Sequence, residues 1–97
     1  MAFELIVDPR ALQDIQTAID YYDDKQEGLG KRFDIELDEY LLLLEVNPYF
    51  QIRYDHIHCL PLRTFPYMIH FEIDNKKLVV TVVAVLFTDV STEKWKR

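Results

Sequence analysis

The sequence has little of what several large classes of protein require. It contains one cysteine, Cys59, so no disulfide can form within the chain. Its two glycines, Gly28 and Gly30, stand together, and we find no linker, repeat or low-complexity tract. The longest apolar run, Leu78 to Phe87, is interrupted by Thr81 and is far shorter than the roughly 20 residues of a membrane-spanning helix. We therefore expect a soluble, cytoplasmic protein with no membrane partner.

Basic residues are scarce in the first half of the chain. Residues 1–50 hold four basic and twelve acidic side chains, a net charge of −8, whereas residues 51–97 have a net charge of +2. An acidic half does not suit a nucleic-acid surface, so any contact with phosphates is expected in the second half. With 97 residues and 49% hydrophobic content, the chain is expected to form one domain, residues 1–97, with a real core.

The first half has the pattern of one strand followed by a helical hairpin. Ala2–Val7 is predicted as a short strand, and Asp8-Pro9 supplies a helix cap and first residue. The first helix is predicted to reach about Gln26, and the second to run from about Leu29 to Val46. The second helix ends because Asn47-Pro48 disfavours helical angles. Its inward stripe is broadened near the end by Leu42, Leu43 and Val46.

The second half has the pattern of an antiparallel sheet. Two short strand pieces, 51–54 and 58–63, precede a long hairpin. Phe65–Ile73 alternates with a period of two, Asp74–Lys77 is a polar turn, and Leu78–Phe87 is apolar on both faces. The order is β-α-α-β-β-β, which predicts an α+β fold with the helices packed on one face of a curved sheet.

Two helices can cover only one face of this sheet. The last strand then presents a second apolar face, formed either by Leu78, Val80, Val82, Ala84 and Leu86 or by Val79, Val83, Val85 and Phe87. Such a surface marks a partner site, unless the N-terminal strand, the curl of the sheet and the Trp95 segment fill it. A homodimer is the third alternative. The candidate partner-binding residues are Val79, Val83, Val85, Phe87 and Trp95.

Short motifs recur in a fixed order along the whole chain. They are Asp14-Ile15, Ala18 and Tyr21-Tyr22, then Leu29-Gly30, Arg32-Phe33 and Asn47-Pro48, then Arg63-Thr64-Phe65-Pro66-Tyr67, Ala84-Val85 and Lys94-Trp95-Lys96-Arg97. In the order and spacing of these motifs, the chain resembles the RelE/ParE superfamily of bacterial toxins, in particular the plasmid-stabilisation-type members. The resemblance covers essentially the whole chain.

The resemblance implies a toxin paired with a small antitoxin that wraps it, partly over the sheet. Within the superfamily, the RelE branch cleaves messenger RNA on the ribosome and the ParE branch inhibits DNA gyrase. Both arrest growth when the antitoxin is lost. No cofactor is implied.

RNA cleavage would need a base, an acid and a cation near one phosphate. The candidate catalytic residues are Arg63, Tyr67 and His70, with Arg53 and Glu72 as further candidates. Relatives often have Ala-Val-x-His-x-x-Arg at the end of the last strand, where this chain has Phe87 and Val90 in place of the histidine and the arginine. We therefore expect a toxin or toxin-like protein without efficient RNA cleavage, acting on a gyrase-type target or having lost its activity.

Two alternatives to that expectation stay open. One is a ribosome-dependent endoribonuclease, and the other is a non-toxic protein-binding module. We do not predict a metal site at His56, His58 and Cys59, because two ligands on one strand face are too few.

Overall fold

Five strands and two helices make up the computed structural model, which describes residues 2–50 and 53–88. The predicted α+β class and element order are confirmed. The first of the strands that follow the helices is present as two short pieces. The elements are β1 (Glu4–Val7), α1 (Pro9–Lys25), α2 (Leu29–Val46), β2 (Arg53–Tyr54), β3 (Ile57–Pro61), β4 (Tyr67–Asp74) and β5 (Val79–Phe87). Neither helix is long and apolar enough to cross a membrane.

The local signals in the sequence set the helix ends. The Asp8 carboxylate accepts a hydrogen bond of 2.8 Å from the Arg10 backbone N–H, and Pro9 fills the first helical position. Helix α2 follows Gly28, whose φ of 85° lies in the left-handed region that favours glycine. It ends at Asn47, which is extended. The predicted bounds of both helices are confirmed to within about one residue.

The second glycine, Gly30, lets the two helices cross closely. Its backbone N–H donates to Oδ1 of Asp23 over 2.8 Å. A Cβ at this position would lie 2.5 Å from the backbone oxygen of Ile19, closer than side-chain carbons approach other atoms. The α1–α2 hairpin therefore depends on the absence of a side chain here.

The sheet has the strand order β1-β5-β4-β3-β2. Strands β2 to β5 pair antiparallel in chain order, as predicted, whereas β1 pairs parallel to β5. Strand β5 thus has a neighbour on each side, as expected for a strand that is apolar on both faces. The parallel pairing, with Glu4 opposite Val79, was not predicted.

The β4–β5 turn is made by Asp74 and starts β5 one residue later than predicted. Oδ1 of Asp74 accepts hydrogen bonds of 3.0 Å from the backbone N–H groups of Lys76 and Lys77. Leu78 has a φ of 55°, so it completes the turn and Val79 begins the strand. The prediction that Leu78 opens the strand was wrong.

A β-bulge interrupts the alternation of β5. His70 pairs with Ala84, but the next residue, Phe71, pairs with Val82, so Val83 is an extra residue without an opposite number. Val80 and Val82 point to the helices before the bulge. After the bulge, Val85 points to the helices. The two residue sets predicted from strict alternation are therefore wrong, because each set combines side chains from both faces of the sheet.

The core lies between the helices and one face of the sheet. Four aromatic rings meet at its centre, those of Tyr22, Phe33, Phe65 and Tyr67, with centroid distances of 4.9–5.9 Å. Phe33 is fully buried. The Tyr22–Phe33 pair is stacked and the other pairs are edge-to-face, and aromatic pairs in these arrangements add about 0.5–1.5 kcal/mol each beyond the burial of their area.

Candidate functional site

Arg63 lies in the loop that joins β3 to β4, and it is exposed to solvent. The loop is held against α2 by one hydrogen bond, in which the Thr64 backbone N–H donates to Oε2 of Glu36 over 3.0 Å. The sequence places Arg63 at the start of the family motif, and an exposed guanidinium at this position can reach a phosphate.

Tyr67 begins β4 on the face that packs against the helices. It is 5% exposed, and its ring centroid lies 5.1 Å from that of Phe33 and 4.4 Å from that of Phe87. Burial raises the pKa of Tyr67 to about 12, with smaller contributions from nearby acidic groups. The phenol is therefore protonated at neutral pH and does not serve as a general base there.

His70 lies on the opposite face of β4 and is fully buried. Its Nδ1 is 3.4 Å from Sγ of Cys59 on β3, and its ring packs against Tyr54 at a centroid distance of 5.7 Å. Burial raises the pKa of Cys59 to about 11, so the sulfur is a thiol that can donate to the imidazole. This arrangement is a packed polar contact between strands.

The structure does not bring the three candidate catalytic residues together. Tyr67 and His70 are three residues apart on one strand, and therefore point to opposite faces of the sheet. Arg63 is in the loop before them. The further candidate Glu72 contacts His56, with Oε1 2.8 Å from Nε2. Catalytic roles for these residues stay predictions.

The histidines of the β2–β3 region have protein partners. Nδ1 of His58 donates to the carbonyl oxygen of Phe50 over 2.9 Å, while His56 faces Glu72. Within residues 2–50 and 53–88, no group of three His, Cys, Asp or Glu side chains is placed to hold a metal ion.

The bulge divides the predicted partner-binding residues between two surfaces. Val85 is 1% exposed, and Phe87 packs its ring 5.8 Å from that of Tyr21 on α1, so both belong to the helix side. Val79 and Val83 are half-buried and lie outside that core. Trp95, like Val90, lies outside the described residues. Partner binding by these residues stays a prediction.

A pocket of about 700 Å³ opens where the face away from the helices meets the β4–β5 turn. Ile6, Val79 and Thr81 line one side of the pocket, and the contact between His56 and Glu72 lies at its rim with the polar turn. No local sequence pattern predicts this pocket, because it depends on the parallel pairing that places β1 beside β5.

The outer side of α2 is apolar as well. Ile35, Leu42 and Val46 are 51%, 62% and 73% exposed. The prediction that Leu42, Leu43 and Val46 broaden the inward stripe was wrong. With 3.6 residues per turn, Leu37 and Leu44 define the buried side, and Leu42 and Val46 project from the far side of the helix.

Comparison with protein families finds one that spans almost the whole fold. The sequence profile described as "ParE toxin of type II toxin-antitoxin system, parDE" matches residues 5–89, from the first strand to just beyond the last. Among curated proteins, no sequence matches the chain.

Solved structures share the fold at low sequence identity. A chain of the chromosomal ParDE toxin–antitoxin system from P. aeruginosa has a TM-score of 0.78 at 13% identity, covering 91% of this chain and 98% of that one. A chain of the intact E. coli RelBE toxin–antitoxin complex has a TM-score of 0.70 at 22% identity, covering 92% and 100%. The isolated E. coli RelE toxin has a TM-score of 0.69 at 21% identity, covering 97% and 93%.

Proposed function

The chain belongs to the ParE toxin family of type II toxin–antitoxin systems, and from this we propose that it is a growth-inhibiting cytoplasmic toxin, neutralised by a small antitoxin. We propose further that it acts without efficient RNA cleavage, on a gyrase-type target. The observation that carries the proposal is the family match over residues 5–89, which spans both helices and, apart from Glu4, all five strands of the described residues.

The positions of the candidate catalytic groups support action without RNA cleavage. Attack by a 2′-hydroxyl requires a base and an acid on either side of one phosphate. Tyr67 and His70 are buried on opposite faces of the sheet, so they cannot flank one phosphate without unfolding part of it. Phe87, at the position where relatives often have histidine, packs into the core. Arg63 could stabilise charge, but it cannot transfer a proton at neutral pH.

The charge of the first half supports the same choice. Residues 1–50 have a net charge of −8, and both helices belong to this part. A ribosomal RNA surface repels such a face. A protein target with basic patches does not repel this acidic face.

An antitoxin partner is supported by the solved relatives, several of which were determined as toxin–antitoxin complexes. Exposed apolar side chains on this chain, including Ile6, Leu43 and Tyr49, provide surface for a partner to bury. Loss of an unstable antitoxin would then release the toxin, which is the basis of plasmid stabilisation by such pairs.

Expression in a bacterium tests the toxin role directly. Induction of the chain alone is expected to arrest growth, and co-expression of the small gene beside it is expected to restore growth. Unaffected growth with folded protein present would overturn the toxin role and leave a non-toxic binding module.

Two measurements on arrested cells and purified protein test the target. Failure of purified DNA gyrase to supercoil a plasmid in the presence of the chain is expected, together with intact messenger RNA ends in arrested cells. Messages that are cut on the ribosome, with cutting abolished by Arg63→Ala and retained in Arg10→Ala, would instead establish the endoribonuclease. Arg10 is a suitable control because it is also an exposed arginine.

A further inference from the structure

Three apolar side chains form a line along the outside of α2. We define the outer stripe as Ile35, Leu42 and Val46, whose positions fall within about 40° of one another around a helix of 3.6 residues per turn. All three are more than half exposed. Single exposed apolar residues are ordinary on a protein surface, whereas an aligned set on one helix face favours a docking site.

Charges of both signs flank the outer stripe. Lys31 and Arg32 lie one turn before Ile35, and Asp38 and Glu39 lie one turn after it. All four are exposed, and none forms an ion pair within residues 2–50 and 53–88. The surface is therefore basic on one side of Ile35 and acidic on the other.

We propose that this surface binds a second copy of the chain, with the two α2 helices antiparallel and the two-fold axis at Ile35. The two-fold symmetry then pairs residues that lie on the same flank of the stripe, at nearly equal distances on opposite sides of Ile35. Lys31 faces Asp38 of the second copy, and Arg32 faces Glu39. Each of these opposite-charge contacts occurs twice.

The apolar contacts agree with the same register. Ile35 packs on its own copy at the centre. Leu42 lies over Gly28 of the second copy, where there is no side chain and where an added Cβ would meet nothing within 4 Å. The helix therefore offers open space where the second apolar residue of the stripe has to fit.

The alternative register with the axis at Leu42 does not satisfy the charges. There Glu45 would face Asp38 of the second copy, and Lys31 and Arg32 would have no partner on its α2. Like charges that face each other across an interface disfavour that alternative. The charge pattern thus favours the register centred on Ile35, in which the partner must carry the same order of charges, a requirement that the chain itself meets.

This dimer is independent of the proposed toxin activity, and its test is the molar mass in solution. Across a concentration series, sedimentation or light scattering is expected to show a monomer–dimer equilibrium. Ile35→Asp is expected to give monomer throughout. Leu12→Asp is the matched control, because Leu12 is 55% exposed on the other helix, and it is expected to dimerise like the original chain.

Charge reversal tests the register. An acidic-face variant (Lys31→Glu with Arg32→Glu) and a basic-face variant (Asp38→Lys with Glu39→Lys) are each expected to be monomeric alone. Mixed together, they are expected to form a heterodimer. A chain with all four changes keeps the original net charge of −6 and is expected to dimerise again. This result would show that the facing charge pairs, and not the overall charge, determine dimerisation.

Two outcomes would overturn the proposal. One is a monomer at every concentration. The other is a dimer that survives Ile35→Asp. If the chain alone stays monomeric and Ile35→Asp weakens antitoxin binding, the outer stripe belongs to the antitoxin. None of these results changes the growth arrest that is expected when the chain is induced alone. Failure of the dimer proposal and failure of the toxin proposal are therefore distinguishable.

Discussion

Asp14 on α1 and Val85 on β5 are 71 residues apart in the chain, yet Oδ2 of Asp14 accepts a hydrogen bond of 3.1 Å from the Val85 backbone N–H. Val85 comes two residues after the bulged Val83. The carboxylate therefore ties the first helix to the end of the sheet where the alternation of β5 has just reversed.

Removing this carboxylate is expected to destabilise the fold. Asp14→Ala leaves the Val85 N–H without this acceptor and should lower the free energy of unfolding by about 1–2 kcal/mol. Urea unfolding followed by circular dichroism measures the change. Asp24→Ala on the same helix is the control, because Asp24 is exposed and should change stability by less than about 0.5 kcal/mol. Equal losses in the two variants would contradict this role of Asp14.

The two glycines are expected to respond differently to substitution. Gly30→Ala forces a Cβ to within 2.5 Å of the Ile19 carbonyl oxygen, so the helices must separate, at a cost of about 1–3 kcal/mol. Gly28→Asn needs only a left-handed backbone and meets open space, and should cost under about 1 kcal/mol. Thermal unfolding of both variants measures the two losses of stability. A larger loss in Gly28→Asn than in Gly30→Ala would contradict the prediction.

Cys59 is expected to resist alkylation in the native protein. With its pKa raised to about 11, the thiol is about one-thousandth ionised at pH 8, against about one-quarter for an ordinary cysteine. Ionisation alone then slows reaction with iodoacetamide about 200-fold relative to the denatured chain. Mass spectrometry over time measures both rates. A native rate within about tenfold of the denatured one would show that the thiol is accessible as a thiolate.

Alkaline pH is expected to destabilise the fold through Tyr67. Its pKa is raised to about 12 by burial, whereas an unfolded tyrosine ionises near pH 10. Between these values the unfolded chain loses its proton first, so the stability present below about pH 10 is lost as the pH rises towards 12. Tyr67→Phe should therefore show a shallower alkaline fall in urea midpoint than the original chain.

The matched variant for that measurement is Tyr49→Phe, which changes a tyrosine that is 57% exposed and follows α2. It should keep the steep alkaline fall of the original chain. Identical slopes for Tyr67→Phe and Tyr49→Phe would assign the alkaline transition to other groups.

The helical half of this fold was predictable because its signals are local. Asp8 and Pro9 start α1, Asn47 and Pro48 end α2, and the structure uses these residues as expected. The family resemblance was also within reach of the sequence, because the motifs keep their order along the chain.

The details of the sheet were not predictable in the same way. Alternation assigns side chains to faces only when every residue pairs with a residue on the neighbouring strand, and Val83 has no such partner on β4. The parallel place of β1 depends on contacts that no local pattern encodes. Both features bear on the predicted partner surface, because Val85 lies in the core and Phe87 packs against it.

The position of β5 between β1 and β4 has a consequence for the order of folding. Glu4 at the start of the chain finds its strand partner only at Val79. Strand β1 therefore has no strand partner until residue 79 and those after it have been synthesised. Contacts of such long sequence separation are slow to form. We expect the β4–β5 hairpin to form first and β1 to add last, so that pulsed hydrogen exchange during refolding should show protected amides in β4 before β1.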